Sequence, residues 1–257
     1  MGELLHLLLT AEPFVIDIQP MVGDWSKLFQ ACVSAYLEHL LDRFYLSLIL
    51  VLWIKPGILL QVRLAERRLA FRLGLGLSML PSLAVLDALD QFDTLGQAPR
   101  IKWVNDVLLG NRKVSGVITS TLTKGDCIEH AVLGIGINVA TTPELPSGKF
   151  VQPPGSLREL APDILITLPT ILARLLESLA KRHAQLLEHG PGALHADYVR
   201  RSSVIGREVE IWEETAGERD DAQLIVAGRV EEILPDLSLR LDGGAEPVRR
   251  GRLIFAD

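Results

Sequence analysis

Hydrophobic residues recur with a period of two between residues 100 and 139, and this segment constrains the fold more than any other. Val107–Leu109 and Val114–Leu122 are predicted strands, and Gly110-Asn111 between them is a two-residue hairpin signal. Arg100–Trp103 is predicted to be a strand that enters a turn, and His130–Val139 is predicted to be a further strand. The segment therefore predicts a meander of neighbouring strands.

Helical patterns flank this meander on both sides. Residues 45–51, YLSLILV, are predicted to form a strand, and Leu75–Phe92 a largely buried helix that contains Pro81. Pro169–Glu188 carries an apolar stripe at helical spacing, with Gly190 as a stop signal. Residues 1–43 are hard to place, although Trp25–Leu41 has a helix-like pattern.

The pattern changes to short strands after Ser203, which predicts a small barrel-like β domain. We expect an α+β chain of two domains, one over residues 1–200, with residues 1–43 atypical, and one over residues 201–257.

Composition narrows the possible functions. The 257 residues are 48% hydrophobic and 23% charged, so the chain has enough apolar residues for a sizeable core. The net charge of −6 argues against a nucleic-acid binder with a basic surface. Two cysteines make no disulfide framework, the apolar run Phe44–Ile54 is too short for a membrane helix, and no signal-peptide pattern opens the chain. We therefore expect a cytoplasmic protein with no membrane or nucleic-acid partner.

The predicted strand LGIGIN leaves one of its faces without side chains. Side chains alternate along a strand, so Gly134, Gly136 and Asn138 share one face and Ile135 and Ile137 share the other. Glycine inside a strand often marks the close approach of a ligand or of another backbone. A tight packing contact or a bulge would explain the same spacing.

Two basic segments precede this strand. In KWVND, Trp103 is expected to pack inward and Lys102 to point the other way, before a turn at Asn105-Asp106. In RKVSG, Lys113 follows the hairpin turn and Gly116 again hints at close approach. Each segment alone is better explained by solvated charges in a turn.

Together, these segments place Lys102, Asp106, Lys113, Gly116 and Asn138 near one edge of the meander. Two ammonium groups suit a substrate with a carboxylate and a triphosphate, because attack of a carboxylate on an α-phosphate builds negative charge that cations stabilise. Asp106 would hold Mg²⁺ on the phosphates or orient a lysine.

The sequence resembles the biotin–protein ligases. The resemblance rests on KWVND (102–106), GNRKVSG (110–116) and GIGINV (134–139), in the family's order and spacing, and it extends over roughly residues 45–257. It implies a biotin/lipoate ligase-like catalytic domain, with a mixed sheet flanked by helices, followed by a small SH3-like β barrel. It also implies ATP, Mg²⁺ and biotin as ligands, a biotin-carrier domain of a carboxylase as partner, and possible homodimers. No winged-helix region is seen before the catalytic domain, so DNA binding is not expected.

By this resemblance, biotin and ATP give biotinyl-adenylate, and a lysine of the carrier domain then attacks it. Lys102 and Lys113 are the implied catalytic residues. Lys102, Asn105, Asp106 and Asn138 are implied to bind ATP, with Asp106 as the magnesium ligand. The implied biotin-binding residues are Lys113, Gly116, Gly134 and Gly136.

One feature of the family is missing from the sequence. A glycine- and arginine-rich loop that covers the adenylate should precede Tyr45, but Gly2, Gly23 and Gly57 are the only glycines before Gly74, and no arginine precedes Arg43. A mis-called or frame-shifted start, a degenerate and weakly active paralogue, or an unfamiliar amino-terminal region would each explain this. Without such a loop a reactive anhydride is exposed to water.

Two rival functions stay open. A lipoate–protein ligase shares the catalytic fold, and KVSG at 113–116 suits it, whereas Lys102-Trp103, the GIGIN strand and the C-terminal β domain favour biotin. A non-enzymatic binding protein on the same scaffold would fit the missing loop. The six histidines show no metal-ligand spacing, which argues against a metal hydrolase.

Overall fold

The computed structural model describes residues 46–52, 57–64, 69–70, 73–92, 95–146, 148–213 and 222–256. The interpretations of residues 1–43, including the helix-like stretch Trp25–Leu41, lie outside these residues.

The larger sheet contains seven of the described strands, in the order β1-β2-β7-β6-β5-β4, with β3 paired to β7. Their ladders are antiparallel, and isolated parallel bridges join Lys113 to Pro154 and Ile101 to Ser202. The strands are β1 (Leu46–Leu52), β2 (Gly57–Leu64), β3 (Leu69–Ala70), β4 (Arg100–Lys102), β5 (Asp106–Leu109), β6 (Arg112–Lys124) and β7 (Cys127–Asn138).

The predicted meander is β4 to β7, and its hairpin turn falls at Gly110-Asn111 as expected. Gly110 has a φ of +60°, a left-handed conformation that glycine adopts without strain. The strand predicted at 45–51 corresponds to β1.

Four helices accompany the sheet in the described part of the chain. They are α1 (Gly74–Asp90), α2 (Leu157–Leu160), α3 (Leu168–His189) and α4 (Pro191–Arg201). α1 is buried along most of its length, with Pro81 inside it, and it packs with the apolar residues of β6 and β7. The hydroxyl of Thr119 on β6 donates to the carbonyl of Leu77, which ties the sheet to this helix at 3.2 Å. The helices and the sheet confirm the predicted α+β arrangement.

Local signals explain the bounds of α3. The Thr167 side chain accepts from the backbone N–H of Thr170, and Pro169 stands in the first turn, where its missing N–H is not needed. Gly190 ends the helix with a φ of +74°.

The last 50 residues contain a second, four-stranded antiparallel sheet in the order β10-β9-β8-β11. Its strands are β8 (Glu208–Trp212), β9 (Leu224–Ile233), β10 (Leu239–Leu241) and β11 (Arg252–Phe255). A buried hydrogen bond of 2.7 Å, from the indole N–H of Trp103 to the carbonyl of Leu237, joins the turn after β4 to the segment between β9 and β10. β11 lies close to the end of β4, since the ammonium of Lys102 is 5.6 Å from the ring centroid of Phe255.

None of the helices in the described ranges is long and apolar enough to cross a membrane.

Candidate active site

A cleft of about 920 Å³ opens between the glycine face of the larger sheet, the loop at 143–154 and strand β11. Six residues singled out from the sequence line this cleft, which places them together as expected. They are Lys102, Asp106, Lys113, Gly116, Gly136 and Asn138.

A β-bulge brings Lys113 to the same side as Gly116. Residues three apart on a regular strand point to opposite faces, yet both residues line the cleft. The register explains this, because Leu108 on β5 pairs with Lys113 while the preceding Val107 pairs with Ser115, which leaves Val114 as an extra residue on β6. Val114 and Ser115 are consequently both buried.

The floor of the cleft is bare backbone, as the alternation of β7 predicts. Ile135 and Ile137 are buried in the core, whereas Gly136 faces the cleft and pairs with Gly116 of β6. A Cβ placed on Gly136 would lie 3.7 Å from the carbonyl oxygen of Gly116. A side chain longer than alanine would therefore rise into the space of the cleft.

Lys113 and Asp106 form an ion pair above this floor. The Lys113 ammonium lies 2.6 Å from Asp106 Oδ1. A Cβ on Gly116 would come within 3.2 Å of the lysine Nζ and 3.6 Å of the same carboxylate oxygen. The glycine thus provides the room in which the pair lies flat on the sheet.

Lys102 is buried, with 6% of its surface exposed. Desolvation by burial lowers the pKa of its ammonium, the charge of Asp106 acts in the opposite direction, and the nearby Lys113 lowers this pKa further. The ammonium lies 5.6 Å from the ring centroid of Phe255 on β11, which is cation–π range. Lys102 is therefore a desolvated cation that is held at the cleft by both sheets.

Buried partners fix the turn between β4 and β5. The Tyr198 hydroxyl on α4 donates to the carbonyl of Val104 at 2.6 Å, and burial, together with the charge of Asp106, raises the pKa of this phenol. The side-chain amide of Asn105 donates to the backbone carbonyl of Val117, and the backbone N–H of Val117 donates to the backbone carbonyl of Asn105. The Trp103–Val104 peptide bond is cis.

Asn138 joins the end of β7 to the end of the 143–154 loop. Its amide donates to the carbonyls of Lys113 at 3.3 Å and Gly155 at 3.0 Å. Backbone hydrogen bonds from Lys113 N–H to Pro153 and from Gly155 N–H to Lys113 extend the sheet here. Asn138 thus fixes the backbone from which the Lys113 side chain projects.

Two of the predicted site residues lie outside the cleft lining. Gly134 sits farther along β7, opposite Ile118, and the exposed Asn105 uses its amide on the backbone of β6. Their proposed roles in binding biotin and ATP stay predictions.

The cleft has further walls that the sequence patterns did not single out. The 143–154 loop contributes Lys149, Phe150 and Gln152, and β11 contributes Arg252. The prolines of the loop were the only sequence signal for the loop wall. No local pattern around Arg252 predicts that this residue, far along the chain, lines the cleft.

The charge of the lining favours an anionic ligand. It includes four cations, Lys102, Lys113, Lys149 and Arg252, against a single carboxylate, Asp106. No group of three or more His, Cys, Asp or Glu side chains within the described ranges is arranged to hold a metal. Asp106 alone fits a magnesium ion that is held mainly by the phosphates of a ligand, since Mg²⁺ commonly takes one or two carboxylates beside phosphate oxygens.

Residues 57–138 match the model of a family described as the biotin/lipoate A/B protein ligase family. Over 70 residues the chain is 40% identical to biotin–[acetyl-CoA-carboxylase] ligase of Paracoccus denitrificans, a match that covers 26% of this chain and 28% of the relative. Over 114 residues it is 27% identical to the bifunctional ligase/repressor BirA of Bacillus subtilis strain 168, with 44% of this chain and 34% of the relative covered. The chain therefore spans about a third of the length of the curated relatives it matches.

A solved structure of the biotin protein ligase from Aquifex aeolicus in complex with biotin and ATP has the same fold. The TM-score is 0.54 at 20% identity, and the match covers 77% of each chain. Residues 57–138 therefore belong to the biotin/lipoate A/B protein ligase family, and the fold around them is that of a biotin protein ligase.

Proposed function

We propose that this chain is an ATP-dependent ligase that joins biotin to a lysine of a biotin-carrier domain through biotinyl-adenylate. The observation that carries the proposal is the convergence of Lys102, Lys113 and Asp106 over the Gly116–Gly136 floor, in a cleft of about 920 Å³. That volume lies at the upper end of the range for small-molecule sites.

In the first step a carboxylate oxygen of biotin attacks the α-phosphorus of ATP. A phosphorus–oxygen bond forms, the bond from the α-phosphorus to its bridging oxygen breaks, and pyrophosphate leaves. Negative charge grows on the phosphate oxygens, and the ammonium groups of Lys102 and Lys113 are already in place to stabilise it. Asp106 holds the Lys113 ammonium low on the sheet, where it reaches both the carboxylate and the phosphate.

In the second step the uncharged amine of the acceptor lysine attacks the acyl carbon of the anhydride. An amide bond forms, AMP leaves, and the amine gives up a proton. The 6% exposure of Lys102 indicates that this side of the cleft is shielded from water, and such shielding would protect the anhydride from hydrolysis. Mg²⁺, when bound with the nucleotide, would neutralise phosphate charge beside Asp106.

We further propose that the catalytic domain covers residues 1–200 and that residues 201–257 are an SH3-like β domain. This division is supported by α4, which ends at Arg201, and by the four strands that follow, which pair with one another in a sheet of their own. The carrier domain would approach the open side of the cleft.

Pyrophosphate release tests the function directly. The purified chain is mixed with biotin, ATP and Mg²⁺, with Lys113→Ala as the inactive control and Lys181→Ala, which alters an exposed residue on α3, as the matched lysine control. We expect release with the wild type and with Lys181→Ala but not with Lys113→Ala. Absence of release at high wild-type concentration would overturn the proposal.

One sequence observation favours a second candidate, a binding protein that holds biotin without activating it. No glycine- and arginine-rich stretch precedes Tyr45, so the segment expected to cover the adenylate is not recognisable. Isothermal titration and pyrophosphate release, each measured with biotin and separately with lipoate, distinguish a biotin ligase, a biotin-binding protein and a lipoate ligase. Biotin binding without pyrophosphate release indicates the binding protein, and release with lipoate alone indicates a lipoate ligase.

A further inference from the structure

The loop wall of the cleft rests on one aromatic side chain of the C-terminal sheet. The Lys149 ammonium lies 3.5 Å from the ring centroid of Trp212 on β8, and the Phe150 ring meets the same indole edge to face at 5.7 Å. Lys149 and Phe150 both line the cleft. The contact therefore links a cleft wall to a residue that lies outside the cleft lining.

Glu210 holds the indole and the ammonium together. Its Oε2 accepts from the indole N–H of Trp212 at 2.9 Å and lies 3.4 Å from the Lys149 ammonium. The carboxylate thus fixes the orientation of the ring on which the loop packs.

The loop has little other support. Within its described part, from 143 to 151 without residue 147, the one recorded backbone hydrogen bond joins the N–H of Val151 to the carbonyl of Gly148. The segment after it is fastened to β6, through Gln152 to the carbonyl of Asn111 and through the backbone at 153–155. The middle of the loop is therefore positioned by side-chain packing, in which Trp212 contacts both Lys149 and Phe150, and Arg252 lies 5.7 Å from the centroid of the Phe150 ring.

We propose that Trp212 is a positioning residue that anchors residues 148–151 of the loop over the cleft, so that the C-terminal sheet controls how tightly an adenylate is covered. This inference rests on the proposed function for the identity of the ligand. The anchoring itself depends only on the contacts of Lys149, Phe150 and Glu210. The consequence for the ligand follows because an anhydride that is loosely covered is lost to water or dissociates.

Trypsin tests the anchor without any catalysis, because Lys149 lies in the loop. We expect Trp212→Ala to speed cleavage after Lys149 about tenfold, since the edge-to-face and cation–π contacts are both lost. Trp212→Phe keeps an aromatic ring and is expected to stay within about threefold of the wild type, because the ring contacts carry most of the energy. Arg229→Ala, which breaks an exposed ion pair on the same sheet, is the matched control.

Ligand retention tests the consequence. Dissociation of a non-hydrolysable biotinyl-adenylate analogue is expected to be about tenfold faster from Trp212→Ala and from Phe150→Ala. The double variant is expected to be less than additive, because each single variant already removes the Phe150–Trp212 contact. An additive double variant, or wild-type rates of cleavage and dissociation in Trp212→Ala, would overturn the inference.

These outcomes separate the two proposals. If the wild type binds no analogue and releases no pyrophosphate, the proposed function is wrong. The trypsin result then shows by itself whether Trp212 anchors the loop. If Trp212→Ala does not fold, Phe150→Ala, which alters the loop side of the same contact, decides it instead.

Discussion

The carboxylate of Asp106 lies 2.6 Å from the ammonium of Lys113, across the ladder that pairs Asp106 with Gly116. The two side chains come from neighbouring strands of one hairpin, and the glycine beneath them leaves room for both. Because the pair is only partly buried, its main effect is to set the position of the ammonium and not to stabilise the fold.

Asp106→Asn keeps the shape of the side chain and removes its charge. We expect the free energy of unfolding to change by less than about 1 kcal/mol, since ion pairs of this exposure contribute little. Pyrophosphate release is expected to fall by about tenfold or more, because a misplaced catalytic cation costs rate steeply. Glu177→Gln, which breaks the exposed pair with Lys181 on α3, is the control and should leave the rate unchanged.

Gly116→Ala places a Cβ about 3.1 Å from Cε of Lys113. The flexible lysine end can move aside, so we expect the protein to fold, while the ion pair shifts and biotin binding weakens several-fold. Gly192→Ala on α4 is the matched control, because a Cβ there meets nothing within 4 Å. It should leave binding intact and raise stability by up to about 1 kcal/mol through helix propensity. Titration calorimetry and urea unfolding measure both effects, and unchanged biotin affinity in Gly116→Ala would contradict the expectation.

Lys102→Met should stabilise the protein while it abolishes pyrophosphate release. Burial lowers the pKa of Lys102 in the folded state, because moving its ammonium out of water costs free energy. At neutral pH this cost reduces the free energy of unfolding. An apolar side chain of similar length avoids that cost, and we expect a gain of about 1 kcal/mol at pH 7.

The pH dependence of this gain has a definite sign. With its pKa lowered on folding, Lys102 holds fewer protons in the folded state than in the unfolded state between the folded pKa and the ordinary lysine value of 10.5. The wild type therefore gains stability relative to Lys102→Met as the pH rises through that window. Urea unfolding of both proteins at pH 7 and pH 10 measures the difference, and a constant difference would refute the assignment.

Arg182→Ala tests the support behind the site. The buried Arg182 guanidinium on α3 binds Asp87 of α1 at 2.6 and 2.9 Å and Asp197 of α4 at 2.5 Å. Its removal leaves the partly buried carboxylates of Asp87 and Asp197 with Arg201 and Arg200 as their remaining partners, and we expect a loss of about 2 kcal/mol in the free energy of unfolding. Arg240→Ala, which breaks the half-exposed pair with Glu232, should cost less than about 0.5 kcal/mol. Equal losses in the two variants would contradict this account.

Local sequence signals predicted the elements that carry the site. The meander from Arg100 to Val139, the Gly110-Asn111 turn and the helix around residues 169–188 all appear, each because its signal acts over a few residues. The alternation along β7 also predicted correctly that Gly136 faces the cleft and that Ile135 and Ile137 face the core.

The sequence alone did not assign the contribution of the C-terminal sheet to the cleft. Trp212 contacts Lys149 in the loop wall, Arg252 lines the cleft, and Phe255 lies over Lys102. Trp212 lies about 60 positions from Lys149 along the chain, and Phe255 about 150 positions from Lys102. Such contacts depend on how two sheets pack, which no local pattern encodes.

The sequence by itself determined the chemistry available here: two lysines, one aspartate and a strand without side chains. Only the tertiary structure decided that these groups share one face. Regular alternation would send Lys113 and Gly116 to opposite sides of β6, and the extra residue Val114, fixed by pairing with β5, turns Lys113 back over the glycine. Strand register depends on the partner strand, and that is why the pairing of β5 with β6 sets the direction of the lysine.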